Sequence, residues 1–184
     1  CIRDRQVVLG LAKNGARLQA EALTELRAFY TSEVVERVRA HGIQVRHDYH
    51  AVESAIPLPA TLTRELSERI NARTADLYVR LYSDYPFPWR KDGGPKDSFE
   101  KDALRFLTDS PPGAEFVRVE EFRGRLSVRY AVADRMHAAC LSCHNSHPNS
   151  PKRDWQENDI RGVLEVVRGI DDATGLSRGA IQRA

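Results

Sequence analysis

The order of the hydrophobic patterns predicts an α+β fold, in which helices come first and an antiparallel sheet follows. Before about residue 110, apolar residues recur at spacings of three and four, as they do on one face of a helix. After residue 115 they alternate with polar residues, which is typical of strands with one buried face. Because helical and strand patterns do not alternate along the chain, the sequence argues against a parallel doubly wound sheet.

Three helices are predicted from their apolar stripes. The first covers residues 1–40 and ends at His41-Gly42. The second is predicted over 61–82, after an irregular stretch with two prolines. The third is predicted over 98–108, and Pro111-Pro112-Gly113 stops it. Between the last two helices, the segment SDYPFPWRKDGG predicts an ordered loop rather than a linker.

Three strands are predicted in the second half. Two of them, over 116–121 and 125–133, form a hairpin that turns at Gly124. The last strand is the segment GVLEVVRGI at 162–170. We therefore expect a stalk-like N-terminal helix over 1–40, partly packed on the core, one compact domain over 41–175 and a C-terminal tail over 176–184.

The composition describes an ordinary globular protein. A net charge of +2, with Lys and Arg scattered among acids, argues against a nucleic-acid surface. The sequence has neither an apolar run of 18 residues nor a signal peptide. It starts at Cys1 rather than Met and ends on SRGAIQRA without a helix stop. We therefore expect a fragment of a longer protein whose flanks include membrane helices.

Residues 140–144, Cys-Leu-Ser-Cys-His, have the C-x-x-C-H spacing that attaches a c-type haem. Two cysteines three positions apart can add their thiols to the two vinyl groups of one porphyrin. The next residue, His144, is then placed to bind the iron. This pattern predicts thioether bonds at Cys140 and Cys143 and a proximal iron ligand at His144.

Two other sites are compatible with the same residues. Cys140, Cys143, His144 and His147 could supply four zinc ligands, although structural zinc sites usually draw their ligands from separated segments. A redox dithiol is the second alternative, but it normally lies in a βαβ unit, which the pattern lacks. The spacing favours haem over both.

Longer blocks of sequence carry a resemblance beyond the pentapeptide. Five blocks occur in order across residues 30–170: FYTSEVVERV, RHDYHAVESAIPLPAT, SDYPFPWRKDGG, RYAVADRM and CLSCHNSHPNSPKRDWQENDIRGVLEVVR. Together they resemble the c-type haem PAS-like sensor family, whose members occur alone in cyanobacteria and as extracytoplasmic sensors of bacterial cyclases, chemoreceptors and histidine kinases. Where that family tends to show W-x-x-G-D-x-x-G, this chain has Asn158 at the first glycine. Asn tolerates a positive φ, so a left-handed turn is still expected there.

The resemblance implies a PAS-like antiparallel sheet with flanking helices and a single haem c bound through Cys140, Cys143 and His144. It also implies a sensor rather than an enzyme, located in the periplasm as part of an inner-membrane receptor, with a cytoplasmic output domain. The expected signal is a redox change or a diatomic gas. The long first helix makes a homodimer plausible. An electron-transfer c-type cytochrome of the periplasm is the alternative function.

The sixth iron ligand is left open by the sequence. His47 is the first choice, because it lies in a matched block and far from the attachment site in sequence. His50 and Cys1 are the alternatives, the latter because the family can use a cysteine thiolate. Met136, four residues before Cys140, is expected to share the attachment helix and therefore not to reach the opposite face.

Other residues are candidates for the wall of the haem pocket. Leu126, Val128, Tyr130 and Val132 could line it, or they could be ordinary sheet core. The segment from Pro86 to Trp89 could form its rim. Four basic residues in polar loops are candidates for binding the haem propionates, or are merely solvated: Arg90, Lys91, Lys152 and Arg153.

Overall fold

The computed structural model describes the backbone of residues 2–170 and the side chains of 5–170. In chain order, the helices are α1 (Ile2–Phe29), a π-helical segment (Tyr30–Val35), α2 (Glu36–Ala40), a 3-10 turn (Tyr49–Ala51), α3 (Pro59–Arg73), α4 (Ser98–Thr108) and α5 (Ala138–Ser146). The strands are β1 (Gln44–Arg46), β2 (Ala55–Pro57), β3 (Leu77–Tyr82), β4 (Glu115–Phe122), β5 (Arg125–Arg135) and β6 (Ile160–Gly169).

Four of the strands form an antiparallel sheet in the order β3-β6-β5-β4. The two central strands, β5 and β6, are paired over most of their length, with Tyr130 opposite Val166. The predicted α+β fold with an antiparallel sheet and a long N-terminal helix is confirmed. The hairpin predicted between β4 and β5 is also present, and both Arg123 and Gly124 have positive φ in its turn.

Helices cover both faces of this sheet. On one face, α1 packs through small residues, and Ala16 and Ala20 are almost fully buried against Val166. Small side chains let a helix backbone approach the sheet closely. On the other face, α4 buries Phe99 and Leu107. The helix predicted over 1–40 runs from Ile2 to Ala40 with a π-helical segment in its course, and over much of α1 it belongs to the core.

The helix predicted over 61–82 is wrong in its second half. The structure ends α3 at Arg73 and begins the edge strand β3 at Leu77. Thr74 already has extended backbone angles, and the side chain of Asn71 bonds the backbone N–H and C=O of Val79 at 2.7 and 2.9 Å. The apolar spacing of this segment fits both periods, and pairing with β6 decides for a strand.

The stretch predicted as irregular contains a second, small sheet. Strands β1 and β2, of three residues each, pair in parallel, with Val45 opposite Ile56. Pro59 stands at the start of α3, where a missing N–H costs no hydrogen bond. This unit places the residues around His47 beside the main sheet.

Of the helices within residues 2–170, none is both long enough and apolar enough to cross a lipid bilayer.

Candidate functional site

A cavity of about 810 Å³ lies beside the edge strand β3. This size falls within the range of pockets that hold small molecules and cofactors. Its walls come from α3, β3, α5, the π-helical segment and the loop that joins β3 to α4. Cys140, Cys143 and His144 all line it. The three residues predicted to attach and bind a haem therefore share one cavity.

Cys140 and Cys143 lie one helical turn apart on α5. Residues three apart on a helix project from the same face, so both thiols point to the same side of α5. Both are free and half-buried. His144 is four residues after Cys140 and is therefore on that face as well. The arrangement leaves two thiols and one imidazole available to a single ligand.

His144 is held by aromatic rings. Its ring centroid lies 5.3 Å from that of Phe87 and 6.4 Å from that of Trp155, both in edge-on geometry. Burial, reinforced by the positive charge of Arg161, lowers the pKa of His144 to about 4. The imidazole is therefore neutral at pH 7, which is the form that binds a metal ion.

The position of α5 is fixed by its link to Trp155. The Asn145 side chain donates to the Trp155 carbonyl and accepts from the Trp155 N–H, both at 2.9 Å. Trp155 is buried and lines the cavity, and Tyr85 and the Lys152 ammonium pack against its ring. Beyond it, Asn158 has a φ of 71°, so the left-handed turn predicted there is present.

The structure separates the two histidines of the HDYH block. His47 lines the cavity and stacks on Trp89, with ring centroids 4.0 Å apart and planes at 12°. Stacking uses the face of the imidazole and leaves its nitrogen edges accessible. His50 is largely exposed, lies 3.5 Å from the Glu65 carboxylate and does not line the cavity. His47 lies in the turn after β1, in a different part of the chain from α5.

The loop after β3 supplies an aromatic wall. Pro86, Phe87 and Trp89 line the cavity, and the rings of Phe87 and Trp89 stack at 4.6 Å. His147 packs edge-on against both rings, and its Nδ1 accepts a hydrogen bond from the backbone N–H of Asn149. The predicted rim is therefore a wall of the cavity, in contact with both His47 and His144.

The four candidate zinc ligands do not converge. Within the described part of the chain, no group of three or more His, Cys, Asp or Glu side chains is close enough to hold a metal ion. Cys140, Cys143, His144 and His147 all line the cavity, yet they surround its space rather than a common point. This geometry suits a ligand that fills the cavity better than a bare cation.

A buried ion network joins this cavity to α1. Arg27 and Arg161 both donate to the same Asp134 oxygen, each at 3.0 Å. Burial tends to raise the pKa of Asp134, but the charges of Arg161 and Arg27 outweigh it and hold that pKa below the ordinary value. Arg161 also donates to the Cys140 Sγ at 3.1 Å. Four elements, α1, β5, β6 and α5, thus meet at one charged cluster.

Comparison with known proteins gives the family of this chain. The model of the Tll0287-like family matches residues 5–168. The chain belongs to the Tll0287-like family. The crystal structure of the cyanobacterial haem protein Tll0287 is similar at a TM-score of 0.56 and 17% identity, over 85% of this chain and 94% of that chain. No curated protein sequence matches.

Membership of the Tll0287-like family agrees with the resemblance inferred from the ordered sequence blocks. The likeness to Tll0287 also shows that the two chains share a fold.

The position of Met136 was predicted wrongly. Met136 precedes α5, is fully buried, and exchanges backbone hydrogen bonds with Asn158 and Asp159. It is therefore part of the connection between β5 and β6 rather than of the attachment helix.

The apolar side chains of β5 belong to the core of the sheet and not to the wall of the cavity. Tyr130 and Val132 pack against Leu164 and α1, and Val128 packs with Ala12. None of these side chains lines the cavity. Of the sixth-ligand candidates, Cys1 lies outside the described residues, as does the predicted tail over 176–184.

Sequence reasoning missed the ion network. Arg27 and Asp134 are 107 residues apart, and their types are common on protein surfaces. Arg161 follows Asp159 in the block that resembles the family, but nothing in the block marks it as a buried cation. The thiol that it contacts could be found from the motif, whereas its charged neighbours required the fold.

Proposed function

We propose that this chain is a haem-based sensor input domain with one covalently attached c-type haem. The observation that carries the proposal is the convergence of Cys140, Cys143 and His144 on one cavity, with His47 facing it from another element. Tll0287, which shares the fold, is a haem protein. A thioether pair on one face of α5 suits the two vinyl groups of a single porphyrin.

The cavity fits such a ligand in its chemistry. Trp155 lines the cavity, and its indole N–H is buried without a hydrogen-bond partner among the described residues, which is rare for a buried donor. His144 is held neutral by burial, ready to bind iron. His144 would bind the iron as the proximal ligand and His47 as the distal one, while Cys140 and Cys143 would hold the porphyrin. The haem itself would supply reversible redox chemistry and the capacity to bind a diatomic gas.

Sensing, rather than permanent electron transfer, is supported by the connection from the cavity to the N-terminal helix. Thr31 and Val35 of the π-helical segment line the cavity, and π-helical turns occur often at functional sites. The Arg161–Asp134–Arg27 network reaches the same helix one turn earlier. A change of the distal ligand could therefore move α1, which would carry the signal to an output domain.

The proposal includes the setting in which such a domain works. We infer that it is not an enzyme, that it lies outside the cytoplasm as part of an inner-membrane receptor, and that two copies associate through α1. Covalent haem attachment in bacteria takes place outside the cytoplasm, which supports this location.

Haem attachment is tested by producing the protein in a host with haem-attachment machinery. We expect a Soret band that survives denaturation and a pyridine haemochrome of the two-thioether type. Replacing both Cys140 and Cys143 by Ala should abolish covalent attachment, whereas Cys1→Ala should retain it as the matched control. A colourless wild-type protein would overturn the proposal, and so would stoichiometric zinc.

Sensing is tested on the haem-loaded protein. Carbon monoxide or nitric oxide should change the spectrum of the ferrous form, or a change of oxidation state should alter hydrogen exchange in α1. If neither occurs, the alternative of an electron-transfer cytochrome accounts better for the haem.

A further inference from the structure

The loop between β3 and α4 carries a partly buried guanidinium that the protein leaves without a counter-ion. Arg90 lines the cavity and donates one hydrogen bond, from Nη2 to the Leu81 carbonyl at 2.7 Å. No Asp or Glu carboxylate in the described part of the chain lies within 4 Å of it. A charged group that is removed from water is expected to have an opposite charge beside it. The counter-ion of Arg90 is therefore missing among the described residues.

Other buried or half-buried cations around the cavity differ from Arg90 in this respect. Arg46 pairs with Asp48, Arg64 with Glu68, Arg80 with Glu100 and Arg161 with Asp134. Lys91 and Arg39 also line the cavity without a carboxylate, but both are exposed and therefore hydrated. Arg90 thus combines burial with an unpaired charge among the described residues of this wall.

Burial and the neighbouring positive charges make binding of an anion at Arg90 favourable. Burial lowers the pKa of Arg90, and the nearby charges of Arg64 and Arg80 lower it further, while the charge of Asp134, which lies beyond ion-pair distance, raises it. Its position is nevertheless fixed by a tight turn, because the Gly93 N–H donates to the Arg90 carbonyl at 2.8 Å. A Cβ at Gly93 would stand 2.7 Å from the Pro86 Cβ, so the turn requires glycine. The backbone therefore holds a cation in a place where the protein supplies no acid.

We propose that Arg90 binds a propionate carboxylate of the haem. This inference rests on the proposed function and names the contact that orients the cofactor within the cavity. A guanidinium can hold a carboxylate through two parallel hydrogen bonds, which suits a propionate group. The other candidates from the sequence fit less well, because Lys152 pairs with Asp154 at 2.7 Å and Arg153 is exposed.

The test measures the midpoint potential of the haem-loaded protein between pH 5 and pH 8. Ferric haem carries one more positive charge than ferrous haem, so removal of a neighbouring cation favours the ferric form. We expect Arg90→Gln to shift the equilibrium about tenfold toward ferric at pH 8, or about 59 mV for one electron. Below pH 7 the difference should shrink, because the propionate that has lost its partner takes up a proton more readily.

Two further variants make the test specific. Arg64→Gln removes the same charge from the same cavity, but Arg64 and its partner Glu68 are 42% and 60% exposed, so solvent screens the change. It should cause a smaller shift and no new pH dependence. Arg90→Lys keeps the charge and should restore most of the potential. If Arg90→Gln fails to fold, Arg90→Lys still allows the contribution of residue 90 to the potential to be measured.

The anion at Arg90 could also come from solution, and added inorganic phosphate at constant ionic strength separates a free anion from the propionate. The wild-type potential should not respond, because the propionate occupies Arg90. A phosphate response that Arg90→Gln abolishes would assign the site to a free anion instead. Equal behaviour of Arg90→Gln and Arg64→Gln in a protein that carries covalent haem would overturn this inference alone. Absence of haem from the wild type would overturn the proposed function instead.

Discussion

The imidazoles of His47 and His50 differ in what they can reach. His47 borders the cavity, stacked on Trp89, with Asp48 at 3.9 Å and so beyond hydrogen-bond distance. The Asp48 carboxylate is already held by Arg46 through two bonds of 2.8 Å. Among residues 5–170, no side chain therefore forms a hydrogen bond with the nitrogen edge of His47. At the scale of single residues, this freedom is the strongest support for His47 as the distal ligand.

We expect His47→Ala to change the absorption spectrum of the haem-loaded protein in at least one oxidation state. Loss of an axial ligand leaves the iron five-coordinate or lets water bind, and either result moves the Soret and visible bands. His50→Ala is the matched control, since His50 does not line the cavity, and its spectra should equal those of the wild type. Unchanged spectra for His47→Ala in both states would exclude it as a ligand.

Asp134 is the residue on which the charged cluster depends. We expect Asp134→Asn to destabilise the protein by about 3–5 kcal/mol, because it leaves two buried guanidinium groups without their shared counter-ion. Urea unfolding measures this change. Asp102→Asn is the control: Asp102 pairs with Arg118 at 2.9 Å, but both side chains are more than one third exposed. An exposed pair contributes about 0–1 kcal/mol.

The same carboxylate gives an expected pH dependence. The pKa of Asp134 is lower in the folded protein than the ordinary value of 3.8. Its contribution to stability is therefore fully present above pH 3.8 and is lost as the pH falls toward the lowered pKa. The acid branch of the wild-type stability curve should be less steep in Asp134→Asn. Equal slopes would mean that other carboxylates determine acid unfolding.

At the scale of elements, β6 approaches β3 closely beside the cavity, at Gly162. A Cβ at Gly162 would stand 2.5 Å from the Tyr82 carbonyl oxygen, which is closer than any real contact. We expect Gly162→Ala to cost about 1–3 kcal/mol, as overpacking does elsewhere. Thermal or urea unfolding measures this cost. Gly10→Ala is the control, because a Cβ there meets nothing within 4 Å and Gly10 lies within α1. That change should stabilise the protein by about 0.5–1 kcal/mol.

Helix and strand identity were predictable to different degrees. The third helix was predicted with its observed bounds, because Asp97 caps it by accepting from the Glu100 N–H and Pro111 follows it closely. Residues 77–82 were predicted as helix because Leu77 continues the spacing of the preceding stripe. These residues form a strand because they pair with β6, more than 80 residues later in the chain. The local hydrophobic pattern carries no information about such a distant partner. The parallel pair of β1 and β2 was missed because strands of three residues are too short to show an alternating pattern.

At the scale of the whole molecule, α1 has a second apolar face. Its buried face packs on the sheet through small residues such as Ala16, whereas the opposite face exposes large ones. This exposed stripe consists of Val7, Leu11, Leu18, Leu26 and Phe29. Val7, Leu18 and Phe29 are spaced by 11 residues, a repeat that keeps a helix face aligned along a nearly straight partner. The stripe supports the proposed association of two copies.

We expect the wild-type protein to be a dimer and Leu18→Glu to be largely monomeric in sedimentation velocity at micromolar concentration. The new carboxylates would lie in an apolar interface, where desolvation opposes association. Val119→Glu is the control, since Val119 is also exposed, at 41%, but lies on β4. A wild-type protein that sediments as a monomer, or a Val119 variant that dissociates as readily, would contradict association through α1.

The sequence predicted those parts of the candidate site that depend on residues adjacent in the chain. The pentapeptide at 140–144 carries the attachment chemistry in its spacing, and His47 was the first choice for the distal ligand because it is remote in sequence. Three-dimensional neighbours were not predictable: Arg27 and Asp134 come from different halves of the chain. Arg90 was one of four equivalent basic residues until the fold showed that it is partly buried at the cavity with no acid within 4 Å, whereas Lys91 and Arg153 are exposed and Lys152 is paired.

The contribution of α1 to the charged cluster has a consequence for modularity. Domains are exchanged between proteins most readily where few contacts cross the junction. A junction placed after residue 40 would separate Arg27 from Asp134 and remove Leu23 from the sheet. The exchangeable unit therefore includes the N-terminal helix, and recombination within that helix should be selected against.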